Sequence, residues 1–136
     1  MQTHAITLVT HQRRSLFTRT ANADLMLKLL FHHRDQNRYQ LHAFAIMPDH
    51  MHVLITPSQR QTLPGCIQFL KGTFSHAIRD QFKGEVWHSG HHEHRIRDAD
   101  DHAAQLQYIA NNPLRKNLEP YPHVHTAASY VSLLDT

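Results

Sequence analysis

The chain has 136 residues, with 14 Lys and Arg against 11 Asp and Glu, and 15 histidines. That length implies one domain, residues 1–136, able to bury a core without staples, and the lone Cys66 excludes an intramolecular disulfide framework. With no signal peptide, lipidation motif or apolar run of about 18 residues, a soluble cytoplasmic protein without a membrane partner is expected. The net charge of +3 and pI near 9.3 permit a polyanionic partner without requiring one.

Residues 5–10, AITLVT, are β-branched and apolar, as a first strand requires, and the polar His11-Gln12-Arg13-Arg14 leaves it as a loop. Asn22 or Asp24 can cap a helix whose inner positions Leu25, Leu29, Leu30 and His33 fall at helical spacing and which runs to about Gln36. Residues 39–47 form a second strand, the tripeptide Met47-Pro48-Asp49 a turn, and residues 50–56 a third strand. Thr62-Leu63-Pro64 opens a helix, with a capping hydroxyl and a proline where its missing N–H costs nothing. Its apolar stripe, Ile67, Leu70, Phe74, Ala77, Ile78 and Phe82, predicts a helix ended by Gly84, with Lys71, Ser75, Arg79 and Lys83 on another face. Residues 85–97 hold a fourth strand interrupted at Ser89-Gly90. Asp98, with Asp101 three residues on, starts a helix that stops near Asn112 because Pro113 disfavours the α conformation before it. Tyr130, Val131, Leu133 and Leu134 are expected to pack as a short terminal helix.

The order β-α-β-β-α-β-α predicts an α+β domain of the ferredoxin-like, split βαβ kind. Its sheet is antiparallel and four-stranded or slightly larger, with helices covering one face and the first and third strands central. The third strand then has a special content. His50 and His52 alternate with Met51, Val53 and Ile55, so the two imidazoles share one face and suit a divalent metal. In the last helix Ala103, Leu106 and Ile109 or Ala110 define the packing face, and Tyr108 lies off it, one turn before Asn112. Should that side face His50 and His52, the site would hold two imidazoles, an amide oxygen and a phenol. Those are the parts of a nuclease in which a tyrosine oxygen attacks a phosphodiester whose charge a cation neutralises.

Five stretches, LVTHQRRSLF, AIMPDHMHVLITP, LKGTFSHAIR, VWHSGHHEHRIRD and YIANNPLRKNL, make the chain resemble the single-tyrosine HUH transposases of simple insertion sequences, most of all the REP-associated tyrosine transposases. The resemblance implies that His50 and His52 are metal ligands, that Tyr108 is the nucleophile, and that Asn112 completes the metal site. It implies Mg²⁺ or Mn²⁺ as cofactor and, as partner, single-stranded DNA with hairpin or palindromic ends. A homodimer is possible, because some relatives lend the tyrosine helix to a partner's metal site. Arg13, Arg14, Arg95, Arg97 and Arg115 lie in matching segments and are candidate DNA contacts, as is Lys71. Asp49 departs from the asparagine common in the family and adds negative charge beside the metal. His91, His92 and His94 are read as surface residues, and Phe17, Tyr39 and Trp87 as core rather than base-stacking platforms.

Two other readings fit parts of this pattern. One is a nucleic-acid-binding module that kept the fold without the chemistry; the other is a histidine-rich metal-binding protein. Covalent capture of DNA separates the first from an enzyme, and several metals per chain with no preference for nucleic acid would mark the second.

Overall fold

The computed structural model describes residues 1–111 and the strand Val124–Thr126. Asn112, Arg115 and the stretch expected as a terminal helix lie outside the described residues. The strands β1 (His4–Val9), β2 (Tyr39–Met47), β3 (His50–Pro57), β4 (His92–Arg95) and β5 (Val124–Thr126) form one antiparallel sheet in the order β4-β1-β3-β2-β5. Helix α1 (Thr20–Asp35) joins β1 to β2, α2 (Leu63–Ala77) joins β3 toward β4, and α3 (Ala99–Ala110) follows β4. This is the expected ferredoxin-like arrangement with β1 and β3 central, and β5 extends it at the β2 edge. No helix among the described residues is long and apolar enough to cross a membrane.

Alternation along the strands divides the interior in two. Ile6, Leu8, Phe44, Ile46, Met51, Val53 and Ile55 point to α1 and α2, where Met26, Leu30, Cys66, Leu70 and Phe74 meet them. Phe17, Phe74 and Trp87 close one end of this core, with ring centroids 5.3–6.0 Å apart. Tyr39 is also buried and its hydroxyl donates to the Leu30 carbonyl at 2.6 Å. Burial pushes the Cys66 thiol up to about 11, which leaves it a small hydrophobe at neutral pH.

The opposite face is covered by α3. Ile109 packs there against Ala43, Ala45, Met47 and Leu54, with Leu106 beside it. The expectation that helices cover one face is therefore corrected: α3 lies on the far side from α1 and α2. Two buried alanines on β2 leave space for a helix to approach that side. Ala103, expected on the packing face of α3, is exposed.

Other boundaries also differ. Helix α1 begins at Thr20, and Asn22 does not cap it; its buried amide donates to the Leu16 carbonyl at 2.9 Å and holds the preceding turn. Helix α2 starts as expected, with the Thr62 hydroxyl accepting from the Gly65 N–H at 3.1 Å, but it ends at Ala77 rather than at Gly84. Arg79 donates to the His76 carbonyl at 2.7 Å and satisfies one of the orphaned carbonyls. The chain then turns, and the loop brings Phe82 back onto the core. Gly84, at φ 108, sits in that loop in a conformation that favours glycine.

Candidate functional site

Pro48 and Asp49 form the two-residue link between paired Met47 and His50, so β3 begins directly out of a tight hairpin. His50 and His52 follow on the α3 side of the sheet, 7% and 8% exposed, with ring centroids 4.9 Å apart. Each ring is oriented at Nδ1. The Asp49 carboxylate meets His50 Nδ1 at 2.6 Å, and the Thr7 hydroxyl meets His52 Nδ1 at 2.9 Å. An ionised carboxylate only accepts, so His50 carries a proton on Nδ1, and the neutral form of the ring is the tautomer whose lone pair is at Nε2. The same tautomer follows for His52 when the Thr7 hydroxyl accepts. Carboxylates and hydroxyls behind an imidazole are the usual means of aiming a metal ligand.

Burial opposes ionisation of Asp49, but the bonds from His50 and Arg13 outweigh it and hold the carboxyl below its usual range. Arg13 Nη1 donates to Asp49 Oδ2 at 3.3 Å. Arg13 sits in a short turn after β1 in which Gln12 at φ 56 and Arg13 at φ 52 are both left-handed. That conformation costs of order 1–3 kcal/mol for each non-glycine residue. Thr10 braces the turn: its single hydroxyl proton is shared between the carbonyls of Arg14 at 2.7 Å and Asp49 at 3.0 Å, and its N–H donates to the Asp49 carbonyl at 3.0 Å.

Helix α3 reaches the histidines from the other direction. Asp98 caps it by accepting from the Asp101 N–H at 2.8 Å. Asp101 in turn takes the His94 ring at 2.9 Å on both oxygens and the Arg97 N–H at 2.9 Å; the Arg97 bond, then the imidazole, keep its carboxyl below the usual range. These bonds tie the helix start to β4. Further along, Ile109 anchors the helix while Tyr108, 41% exposed, lays its ring edge-on to His52 at 5.6 Å between centroids. A cleft of about 130 Å³ opens beside them, lined among others by Thr7, His52, His92, Gln105 and Tyr108. His92 shares a cross-strand row with Thr7 and His52.

The structure thus brings His50, His52 and Tyr108 together. Among the described residues no group of three His, Cys, Asp or Glu is placed to hold a metal, and Asn112 lies outside them. Arg13 adjoins the histidines through Asp49. Arg14 lies over the Phe82 ring at 4.9 Å, Arg95 donates to Gln2 at 2.9 Å, and Arg97 pairs with Asp101 at 3.5 Å. Lys71 is placed differently: it donates to the carbonyls of His88 at 3.1 Å and Gly90 at 2.8 Å, and desolvation lowers its pKa. Its ammonium fastens the loop before β4. Thr7 escaped the sequence reading because its role depends on strand register, which one sequence does not display.

The comparisons with known proteins place this architecture among transposases. The chain belongs to the IS200-like transposase family, whose model, Transposase IS200 like, matches residues 1–112. Among solved structures it is similar to a REP-associated tyrosine transposase bound to a REP hairpin, at TM-score 0.78 and 23% identity over 90% of this chain and 75% of that one. It is also similar to a putative transposase from Deinococcus radiodurans R1, at TM-score 0.61 and 22% identity over 82% of this chain and 91% of that one. At these identities the likeness concerns the fold. No curated protein matches the chain.

Proposed function

We propose that this transposase cleaves and rejoins single-stranded DNA at hairpin-containing sites, with Tyr108 as nucleophile and a divalent cation at His50 and His52. One observation carries the reading: the Tyr108 ring lies against His52, on the sheet face that also presents His50. The donor set suits a divalent cation, since both imidazoles are engaged at Nδ1 and lie side by side. Asn112 is the proposed third ligand, and its amide oxygen favours Mg²⁺ or Mn²⁺. When bound, the ion neutralises charge on a non-bridging phosphate oxygen.

Tyr108 supplies the covalent step. Its oxygen attacks phosphorus, the bond from phosphorus to the sugar 3' oxygen breaks, and that oxygen gains a proton as the phenol loses its own. The products are a free 3' hydroxyl and a 5' phosphotyrosine. Attack by another 3' hydroxyl reverses the step and restores the phenol, so strands are exchanged without an external energy source. Because Tyr108 adjoins a histidine of its own chain, one chain is taken to hold a complete site. The hairpin is proposed here because the similar REP-associated transposase binds one. Arg13, Arg14, Arg95, Arg97 and Arg115 are the proposed backbone contacts, with Lys71 acting through the loop it holds.

The test is covalent capture. The protein is incubated with labelled single-stranded hairpin oligonucleotides and Mn²⁺, and a denaturation-resistant band is sought on a gel. The expected band disappears with a chelator and with Tyr108→Phe. A band that survives Tyr108→Phe overturns the assignment of the nucleophile, and hairpin binding without any band favours the binding-module reading.

A further inference from the structure

We infer that Asp49 is a positioning residue for His50, and that Arg13 makes it responsive to the DNA strand. A phosphate that engages Arg13 draws the guanidinium off Asp49, and the carboxylate then strengthens the hold of His50 on the cation. The inference rests on the metal-site reading above. Its basis is the unequal use of the Asp49 oxygens: Oδ1 meets His50 Nδ1 at 2.6 Å, whereas Oδ2 meets Arg13 Nη1 at 3.3 Å. The first contact is short, with a ring that is nearly buried. The second is long, and the Arg13 side chain is 65% exposed, so it exchanges readily for another anion.

The position of Arg13 is built in rather than incidental. It extends from a turn with two successive left-handed non-glycine residues, and Thr10 ties that turn to the Asp49 carbonyl by two hydrogen bonds of 3.0 Å. Strained backbone held this way at a site is a reason to look for a role. The chemistry supplies one. A carboxylate behind an imidazole raises its basicity toward a metal, and a guanidinium on that carboxylate offsets part of the effect. A phosphodiester carries the same charge as the carboxylate and matches the guanidinium fork. DNA engagement and cation affinity are thereby coupled, and the coupling acts equally in both directions.

The experiment is a Mn²⁺ titration of the full chain by calorimetry, without DNA and with a saturating single-stranded oligonucleotide, each variant first checked for an unchanged circular dichroism melt. Asp49→Asn keeps a hydrogen-bond acceptor for His50 but drops the charge, and is expected to weaken Mn²⁺ binding by roughly 10–100-fold. Arg13→Gln is expected to tighten binding several-fold in DNA-free protein and to shrink the tightening that the oligonucleotide produces. In the Asp49→Asn background Arg13→Gln should be silent, since its effect runs through that carboxylate. Arg13→Gln that leaves Mn²⁺ affinity unchanged or weaker, or that acts equally in both backgrounds, overturns the inference. His50→Ala separates the two levels: if it binds Mn²⁺ as the unaltered chain does, the metal-site reading has failed, whereas loss in His50→Ala with no response to Arg13→Gln defeats this inference alone.

Discussion

The two faces of the sheet are made from alternate residues of the same strands, yet they do opposite work. Toward α1 and α2, β3 sends Met51, Val53 and Ile55 into a dry core; toward α3 it sends His50 and His52, each tied to a polar partner. The apolar face fixes where the strand lies, and the polar face uses that fixed position to aim two rings at a helix bearing an exposed tyrosine. A rigid strand holds such a pair better than a loop. The difference predicts that substitutions on the two faces fail in different ways.

The largest effect is expected at Tyr108. Tyr108→Phe should reduce covalent capture by roughly 10³-fold or more while changing stability by less than about 0.5 kcal/mol, because the side chain is half-exposed and only the hydroxyl is lost. Capture assays and urea denaturation read the two quantities. Phe74→Ala is the counterpart on the other face: removing a fully buried ring that meets Phe17 and Trp87 should destabilise by about 3–5 kcal/mol, read as a lower urea midpoint.

A third test concerns His33, the one buried histidine on the apolar side among the described residues. His33 accepts from Arg38 at Nδ1, 2.7 Å away, and meets the Thr73 hydroxyl at Nε2, 3.0 Å away. Thr73 itself donates to Phe69, so the His33 ring is neutral with its proton on Nε2. Burial, then Arg38, lowers its pKa from the ordinary 6.5 to about 4. The unfolded chain therefore binds more protons between these values. Stability from this residue is full above pH 6.5 and is lost as pH falls toward 4, an effect of about 3 kcal/mol. His33→Gln should flatten that part of the urea-midpoint profile; an unchanged slope would assign it to other groups. The smallest effect is at Thr62, whose cap on α2 should be worth about 1 kcal/mol when replaced by alanine.

Period-two alternation, hairpin chemistry and caps made β2, β3, the start of α2 and the shared face of the histidines legible in sequence. What was not legible depends on distant contacts. The stripe of α2 continued through Phe82 by spacing, although Phe82 reaches the core from a loop after the helix has ended. The side on which α3 packs leaves no mark in its own periodicity; the nearest signal is the pair Ala43 and Ala45 on a different element. Lys71 matched a phosphate-facing pattern, but its ammonium is bound to two carbonyls of the loop before β4. Asp49 was visible as a charge, whereas its links to His50 and Arg13 required the turn after β1 to be placed.

The most direct measurement of the central claim is to digest the trapped protein–DNA adduct and locate the nucleotide by mass spectrometry. The account predicts a phosphodiester on Tyr108, joined to the 5' end of the cleaved strand, with a free 3' hydroxyl on the other product. A nucleotide found on Tyr39, Tyr121 or Tyr130, or a link of the opposite polarity, would contradict it.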